Sequence, residues 1–218
     1  MKNQDQIVPM FYGVVAICTR GAVLTEVLQG VVDNIMGFNL GGVRIQWTIR
    51  TTHNLPIPDA QNQATKDALL FQPKYVWYVE EDTVPPPGIL LDMIRVDKPV
   101  VVADYNLEQG DTAVKLNKKG IVVNAGMGCM LVKSQVLLNM SIEGPWFDDK
   151  TWILQEDGGF AASDLKLAGK QDTSFVKRLR DYGIIPCVIP TGQRCRHLRL
   201  VGLGERGKNC GLHQIKEL

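Results

Sequence analysis

Tyr75-Val76-Trp77-Tyr78-Val79-Glu80-Glu81-Asp82 decides how this chain folds. Five apolar or aromatic residues in succession read as a buried central strand. The strand stops at three acids, and Pro85-Pro86-Pro87 follow. A strand that ends in carboxylates sets them at the edge of a sheet, where open α/β folds keep their ligand sites. Side chains alternate on an extended chain, so Glu80 and Asp82 share one face and Glu81 takes the other. Two like charges on one face repel unless a cation lies between them, and a divalent metal meets that need. A solvated acidic turn is the plainer alternative.

Working outward, the flanking sequence alternates strand and helix patterns. Phe11 to Thr19 is an apolar strand, and Leu24 to Met36 carries Val27, Val31 and Ile35 at helical spacing. Val43 to Arg50 alternates as a strand with one wet face. A helix capped by Asp59 is expected through Leu70, and another from Pro87 to Asp97. Pro99 to Ala103 is a further strand, ending at Asp104-Tyr105. Ala113–Leu116 and Ile121–Val123 flank Asn117-Lys118-Lys119-Gly120 as a hairpin. Met130 to Val132 reads as a strand, followed by a short helix from Ser134 to Met140. Glu143 to Gly169 is irregular. A helix capped by Asp172 and stopped at Gly183 precedes a last strand, Ile184 to Ile189, and a basic, glycine-containing tail. The pattern implies an α/β fold with a mostly parallel sheet flanked by helices and an antiparallel addition. With 218 residues and no linker or repeat, residues 1–218 are expected to form a single domain.

Composition narrows the function classes. A hydrophobic content of 45% and a charged content of 22% are ordinary for a globular protein. A net charge of +1 argues against nucleic acid as the partner. Five scattered cysteines do not form a secreted disulfide framework. Met1 to Gln6 is polar and lacks a signal-peptide core, and no apolar run is long enough to cross a bilayer. A cytoplasmic location is expected, with peripheral attachment to a membrane left open. Neither a G-x-x-x-x-G-K-[ST] loop nor a G-x-G-x-x-G after the first strand occurs. A bound diphosphate therefore needs another counter-charge, which a carboxylate-held metal supplies.

Several segments, taken in order, resemble the GT-A nucleotide-sugar glycosyltransferases, in particular their large inverting family 2. Glu80-Glu81-Asp82 resembles the "DxD" element, with Glu80 where the family has Asp. Asn124-Ala125-Gly126-Met127-Gly128-Cys129-Met130-Leu131-Val132 is similar to the small-residue turn that leads into an apolar strand. Asp172-Thr173-Ser174-Phe175, with the helix running to Gly183, is similar to "E-D-x-x-F", with Gln171 in place of the first acid. Cys195-Arg196-His197 resembles the late histidine of the metal site. These pieces cover most of the chain. The resemblance implies a GT-A fold and transfer of a sugar from a nucleotide-sugar donor to a glycan, lipid or protein acceptor, with Mn²⁺ or Mg²⁺ as cofactor. It implies Asp82, His197 and Glu80 as metal ligands and Asp172 as the general base of an inverting reaction, with Asp157 of Glu156-Asp157-Gly158-Gly159-Phe160 as rival base. Thr19, Arg20, Asn62, Glu80, Asp104 and Arg194 are the residues it suggests for the nucleotide-sugar. Arg196 and Arg199 extend the basic cluster, and Trp146 and Trp152 are candidates for stacking on an acceptor. A zinc site from Cys195, His197, Cys210 and His213 competes for His197. A non-catalytic sugar- or partner-binding protein of the same fold is the alternative from another class. A nucleotidyltransferase is disfavoured, because no glycine-rich loop follows Ile17. Donor, acceptor and oligomeric state are not legible in the sequence.

Overall fold

Tyr75 to Glu80 is the middle of a six-stranded sheet, and its alternation builds a core on each side. In chain order the elements are β1 (Met10–Cys18), α1 (Thr25–Met36), β2 (Arg44–Thr52), α2 (Ile57–Leu69), β3 (Tyr75–Glu80), β4 (Thr83–Val84), α3 (Ile89–Val96), β5 (Val100–Val102), β6 (Asp104–Tyr105), β7 (Val114–Leu116), β8 (Val122–Ala125), β9 (Cys129–Lys133), α4 (Ser134–Met140), β10 (Trp152–Leu154), β11 (Phe160–Ala162), α5 (Gln171–Asp181), β12 (Cys187–Val188), β13 (Arg194–Gly202) and β14 (His213–Glu217). This computed structural model describes residues 10–19, 21–37, 44–53, 55–107, 111–140, 145–148, 152–154, 160–162, 171–190, 192–202 and 213–217, with backbone only at 152–154, 160–162, 171, 199–202 and 213–217.

The sheet runs β12-β5-β9-β3-β1-β2. β1 lies parallel to β2 and β3, and β12 parallel to β5, while β9 is antiparallel to both β3 and β5. The α/β class expected from the sequence, a mostly parallel sheet flanked by helices with an antiparallel member, is the one found. On one face of the sheet Val76 and Tyr78 of β3 pack with Ala64, Ala68, Leu137, Phe175 and Leu179 from α2, α4 and α5. On the other face Tyr75, Trp77 and Val79 pack with Val27, Val31, Leu90 and Met93 from α1 and α3. Both faces of β3 are therefore dry, as its unbroken apolar run requires.

Some local expectations change. Asp59 lies inside the first turn of α2, whose N-cap is Pro56, because Pro58 is already accommodated there. Pro87 stays outside α3, which starts after Gly88 at φ 82°. The tail after Thr191 contains two paired strands, β13 and β14, where only a basic tail was expected. The parallel direction of β1, β3 and β5 delivers Thr19, the Glu80–Asp82 acids and Asp104-Tyr105 to one edge of the sheet.

Candidate functional site

Beyond Glu80 the chain stops being a strand. Glu81 and Asp82 form a turn before β4, so alternation ends and all three acids line one cleft. The expectation that Glu81 faces away is corrected by that turn. The cleft encloses about 800 Å³ including its open mouth, and Cys18, Thr19, Gln61, Tyr105, Asp172 and His197 also line it.

His197 arrives on β13, which crosses the edge of the sheet. Within that strand His197 pairs with Thr83 and Arg196 with Val84 of β4, and Leu198 N–H donates to the Asp82 carbonyl at 2.8 Å. The register carries His197 Nε2 to 3.4 Å from Asp82 Oδ2. His197 Nδ1 is buried with no hydrogen-bond partner. The Tyr105 ring lies 5.4 Å from the imidazole, and its hydroxyl donates to Glu80 Oε2 at 3.4 Å. The Tyr105 hydroxyl also accepts from Gly128 N–H at 3.2 Å. A Cβ at Gly128 would fall 2.6 Å from Tyr105 Cζ and 2.7 Å from Thr83 Oγ1, so this turn has to be glycine.

Asp172 sits in the first turn of α5 rather than at its N-cap, because the helix begins at Gln171. Asn124 Nδ2 donates to Thr173 Oγ1 at 3.1 Å and fixes that turn against β8. Met127 N–H donates to Asp172 Oδ2 at 3.4 Å, whereas Oδ1 is buried with no partner. Burial pushes the Asp172 carboxyl from an ordinary 3.8 up to about 6, against the opposing pull of Met127 N–H and the adjoining Gln61 amide. A buried carboxylate with that affinity for a proton suits general-base work near neutral pH. Burial likewise pushes the Cys18 thiol up to about 12, which makes it an inert wall of the cleft.

One carboxylate oxygen and one imidazole nitrogen face each other in the cleft, a pair that could hold a divalent cation only if further ligands came from outside these two side chains. Among the described residues no three His, Cys, Asp or Glu side chains are grouped so that they could hold a metal ion.

Other expected residues go elsewhere. Asn62 clips the Trp146–Phe147 segment: its Nδ2 donates to the Phe147 carbonyl at 2.7 Å, and its Oδ1 accepts from Phe147 N–H at 3.1 Å. Its neighbour Gln61 is the α2 residue in the cleft. Asp104 accepts from Val114 N–H at 3.0 Å and faces Arg194 Nη2 at 3.5 Å, so these two meet each other instead of the cleft. Arg194 and Arg196 line a separate groove with Glu26, Gln29, Asp33 and Pro85–Pro87. Trp146 is buried and donates from Nε1 to the Leu137 carbonyl at 2.7 Å, which removes it as a stacking platform. Thr19 lines the cleft, but its hydroxyl is spent on a local turn, donating to the Ala22 carbonyl at 2.9 Å. Cys195 packs in the core beside Cys129, and that hydrogen-bonded contact and burial push its thiol far above normal. Arg20, Asp157 and Cys210, and the side chains of Trp152, Arg199 and His213, lie outside the described residues.

No protein-family model matches this chain, and no curated protein does. Its shape is similar to that of A197 from STIV, at 17% identity over 85% of each chain with a TM-score of 0.57. CMP:2-keto-3-deoxy-manno-octonic acid synthetase, solved with CTP, aligns at 13% identity over 81% of this chain and 88% of that one, with a TM-score of 0.46. The 4-diphosphocytidyl-2C-methyl-D-erythritol synthase of Anaerococcus prevotii aligns at 11% identity over 82% and 86%, with a TM-score of 0.45. The likeness to A197 is one of fold. No helix among the described residues is long and apolar enough to cross a membrane.

Proposed function

We propose that this chain, as one domain over residues 1–218, is a nucleotide-sugar-dependent glycosyltransferase that inverts the anomeric centre. The observation that carries the reading is the meeting of an Asp82–His197 pair and a proton-hungry Asp172 in one cleft. Asp82 and His197 would hold Mn²⁺ or Mg²⁺, while Glu80 of the same cleft is held by the Tyr105 hydroxyl. When bound, that cation supplies positive charge against the donor's diphosphate. Leu55, Ile57 and Leu107 offer an apolar lining to the donor's nucleoside beside Thr19. Asp172 takes the proton from an acceptor hydroxyl as its oxygen bonds to the anomeric carbon and the carbon–oxygen bond to the diphosphate breaks from the opposite face. Two roles suggested by the sequence, donor binding by Asn62 and by the Asp104–Arg194 pair, are dropped from the proposal, since those side chains are occupied elsewhere.

The test is a panel of UDP-, GDP- and dTDP-sugars, read by thermal shift with Mn²⁺ and with chelator. One nucleotide class is expected to raise the melting temperature with Mn²⁺ alone, and slow release of free nucleoside diphosphate is expected to follow. Failure of every donor to bind with Mn²⁺ overturns the proposal. Binding with no release points to the non-catalytic alternative.

A further inference from the structure

β2 is the last strand of the six-stranded sheet, and among the described residues no strand lies along its outer side. It pairs with β1 from Met10 and Arg44 to Cys18 and Thr52 without a bulge, and it holds no proline. A long regular edge of unpaired N–H and C=O groups is a template for another strand, and bulges or prolines are the usual guards against that. Arg50, a charge that would also guard it, lies over the Phe71 ring of its own chain at 4.5 Å, on the face where Thr52 bonds α2. The apolar flank of α1 stands above the other face of this edge. Gly30 lies against Pro85, and Asn34 bonds the Pro86 carbonyl and Leu90 N–H, so that flank of α1 faces β4 and α3. α3 packs on β5 and β9, away from β2. The opposite flank, turned to the β2 side, carries Leu28 and Val32, which are 37% and 41% exposed. Below it Ile45 and Ile49 of β2 are only partly buried, so helix and strand edge form one apolar strip.

We propose that a second copy of this chain docks on that strip, β2 against β2 in antiparallel sense about a two-fold axis at Thr48, joining the two six-stranded sheets into one. Charge selects the register. With the axis at Thr48 the whole of β2 pairs: Arg44 meets Thr52 of the other copy, Gln46 meets Arg50, Trp47 meets Ile49, and no arginine faces an arginine. With the axis at Trp47, Arg44 faces Arg50 and the pairing is shorter. An axis perpendicular to the sheet keeps both α1 helices on one face, so Leu28 and Val32 of each copy are covered from the other side. The strip is about 30 Å long from the rise of the strand, and roughly 20 Å deep from the strand edge to the outer side of the helix. That is on the order of 600 Å² per copy before surface relief is counted, close to the ~800 Å² per partner of a standard stable interface. Antiparallel joining sends the two clefts to opposite ends of the sheet, so the dimer does not depend on the proposed reaction.

Sedimentation velocity of the full chain, from about 1 to about 100 µM, tests this. A species of twice 24.2 kDa is expected within that range. Leu28→Lys combined with Val32→Lys changes two exposed helix positions, so the circular dichroism spectrum should be unchanged. The dimer dissociation constant should rise at least about tenfold. Thr48→Cys reads the register directly. Under mild oxidation it should give a covalent dimer on a non-reducing gel, because residue 48 faces its own copy across the axis. Arg44→Cys, which faces Thr52, should give no more crosslink than the wild type. A monomer over the whole range overturns the proposal, whether another part of this chain or an unlike partner then covers the edge. It is equally overturned by a dimer that the double lysine variant leaves intact, or by a dimer in which Thr48→Cys fails to crosslink.

Discussion

Replacing Asp172 by asparagine should make this protein more stable while abolishing the transfer proposed for it. The carboxyl rises from 3.8 to about 6 because burial opposes its charge. Each tenfold change in proton affinity corresponds to about 1.4 kcal/mol, so the ionised group costs the fold on the order of 3 kcal/mol, and nearer 1–2 kcal/mol allowing for its partial exposure to the cleft. Asparagine keeps an oxygen for Met127 N–H and carries no charge to desolvate. Because the folded state holds the proton more tightly, stability falls as pH rises from about 4 to about 6 and is flat above. The gain for Asp172→Asn is therefore complete at pH 7.5, shrinks through that window and vanishes near pH 4. In chelator, thermal unfolding should show the variant roughly 3–6 °C above the wild type at pH 7.5, with the gap closing by pH 4. Transfer should fall by about 10²–10⁴-fold while donor binding persists. A variant no more stable than the wild type at pH 7.5, or a gap unchanged at pH 4, refutes the claim that Asp172 is a strained, buried carboxylate.

Two further substitutions probe the parts that hold the cleft. Asn34 is buried, donates from Nδ2 to the Gly30 and Pro86 carbonyls at 2.8 and 2.9 Å, and accepts from Leu90 N–H at 3.1 Å. Asn34→Ala should lower the melting temperature by about 5–10 °C in calorimetry, because it orphans groups on both α1 and the start of α3. His197→Ala should weaken Mn²⁺ binding in the presence of donor at least about tenfold, read by electron paramagnetic resonance, and leave the fold intact. A thermal collapse that zinc reverses would instead favour the zinc assignment for the tail.

The sheet was legible because β3 and its neighbours carry patterns that only a doubly buried strand or an amphipathic helix satisfies. Near the site, the errors are errors of parity. Asp104 was expected in the cleft, but its neighbour Tyr105 occupies it, since one step along a strand reverses the side chain. Asn62 was expected there, but Gln61 occupies it, since one helical step turns a side chain by about 100°. Both the strand's end and the helix's face were recognisable; the absolute phase was not, because polar residues stood on either side of it. Glu81 was misassigned because alternation was carried past the last strand residue into a turn. The β13–β14 ribbon was missed because Arg194, Arg196, His197 and Arg199 break any clean alternation and make the stretch read as a solvated basic tail. Tyr105 carried one faint signal, an aromatic residue next to an acid at a strand end. Its role depends on Gly126 and Gly128 opening space for its ring, a long-range packing fact.

Central to the proposed chemistry is whether the acids that close β3 grip a cation together with a diphosphate. Calorimetric titration of the wild type and Asp82→Asn with the best donor from the panel, in Mn²⁺ and in chelator, measures this directly. The wild type should bind at least about tenfold more tightly with Mn²⁺, and Asp82→Asn should bind equally weakly in both buffers. Undiminished Mn²⁺-dependent affinity in Asp82→Asn would contradict it.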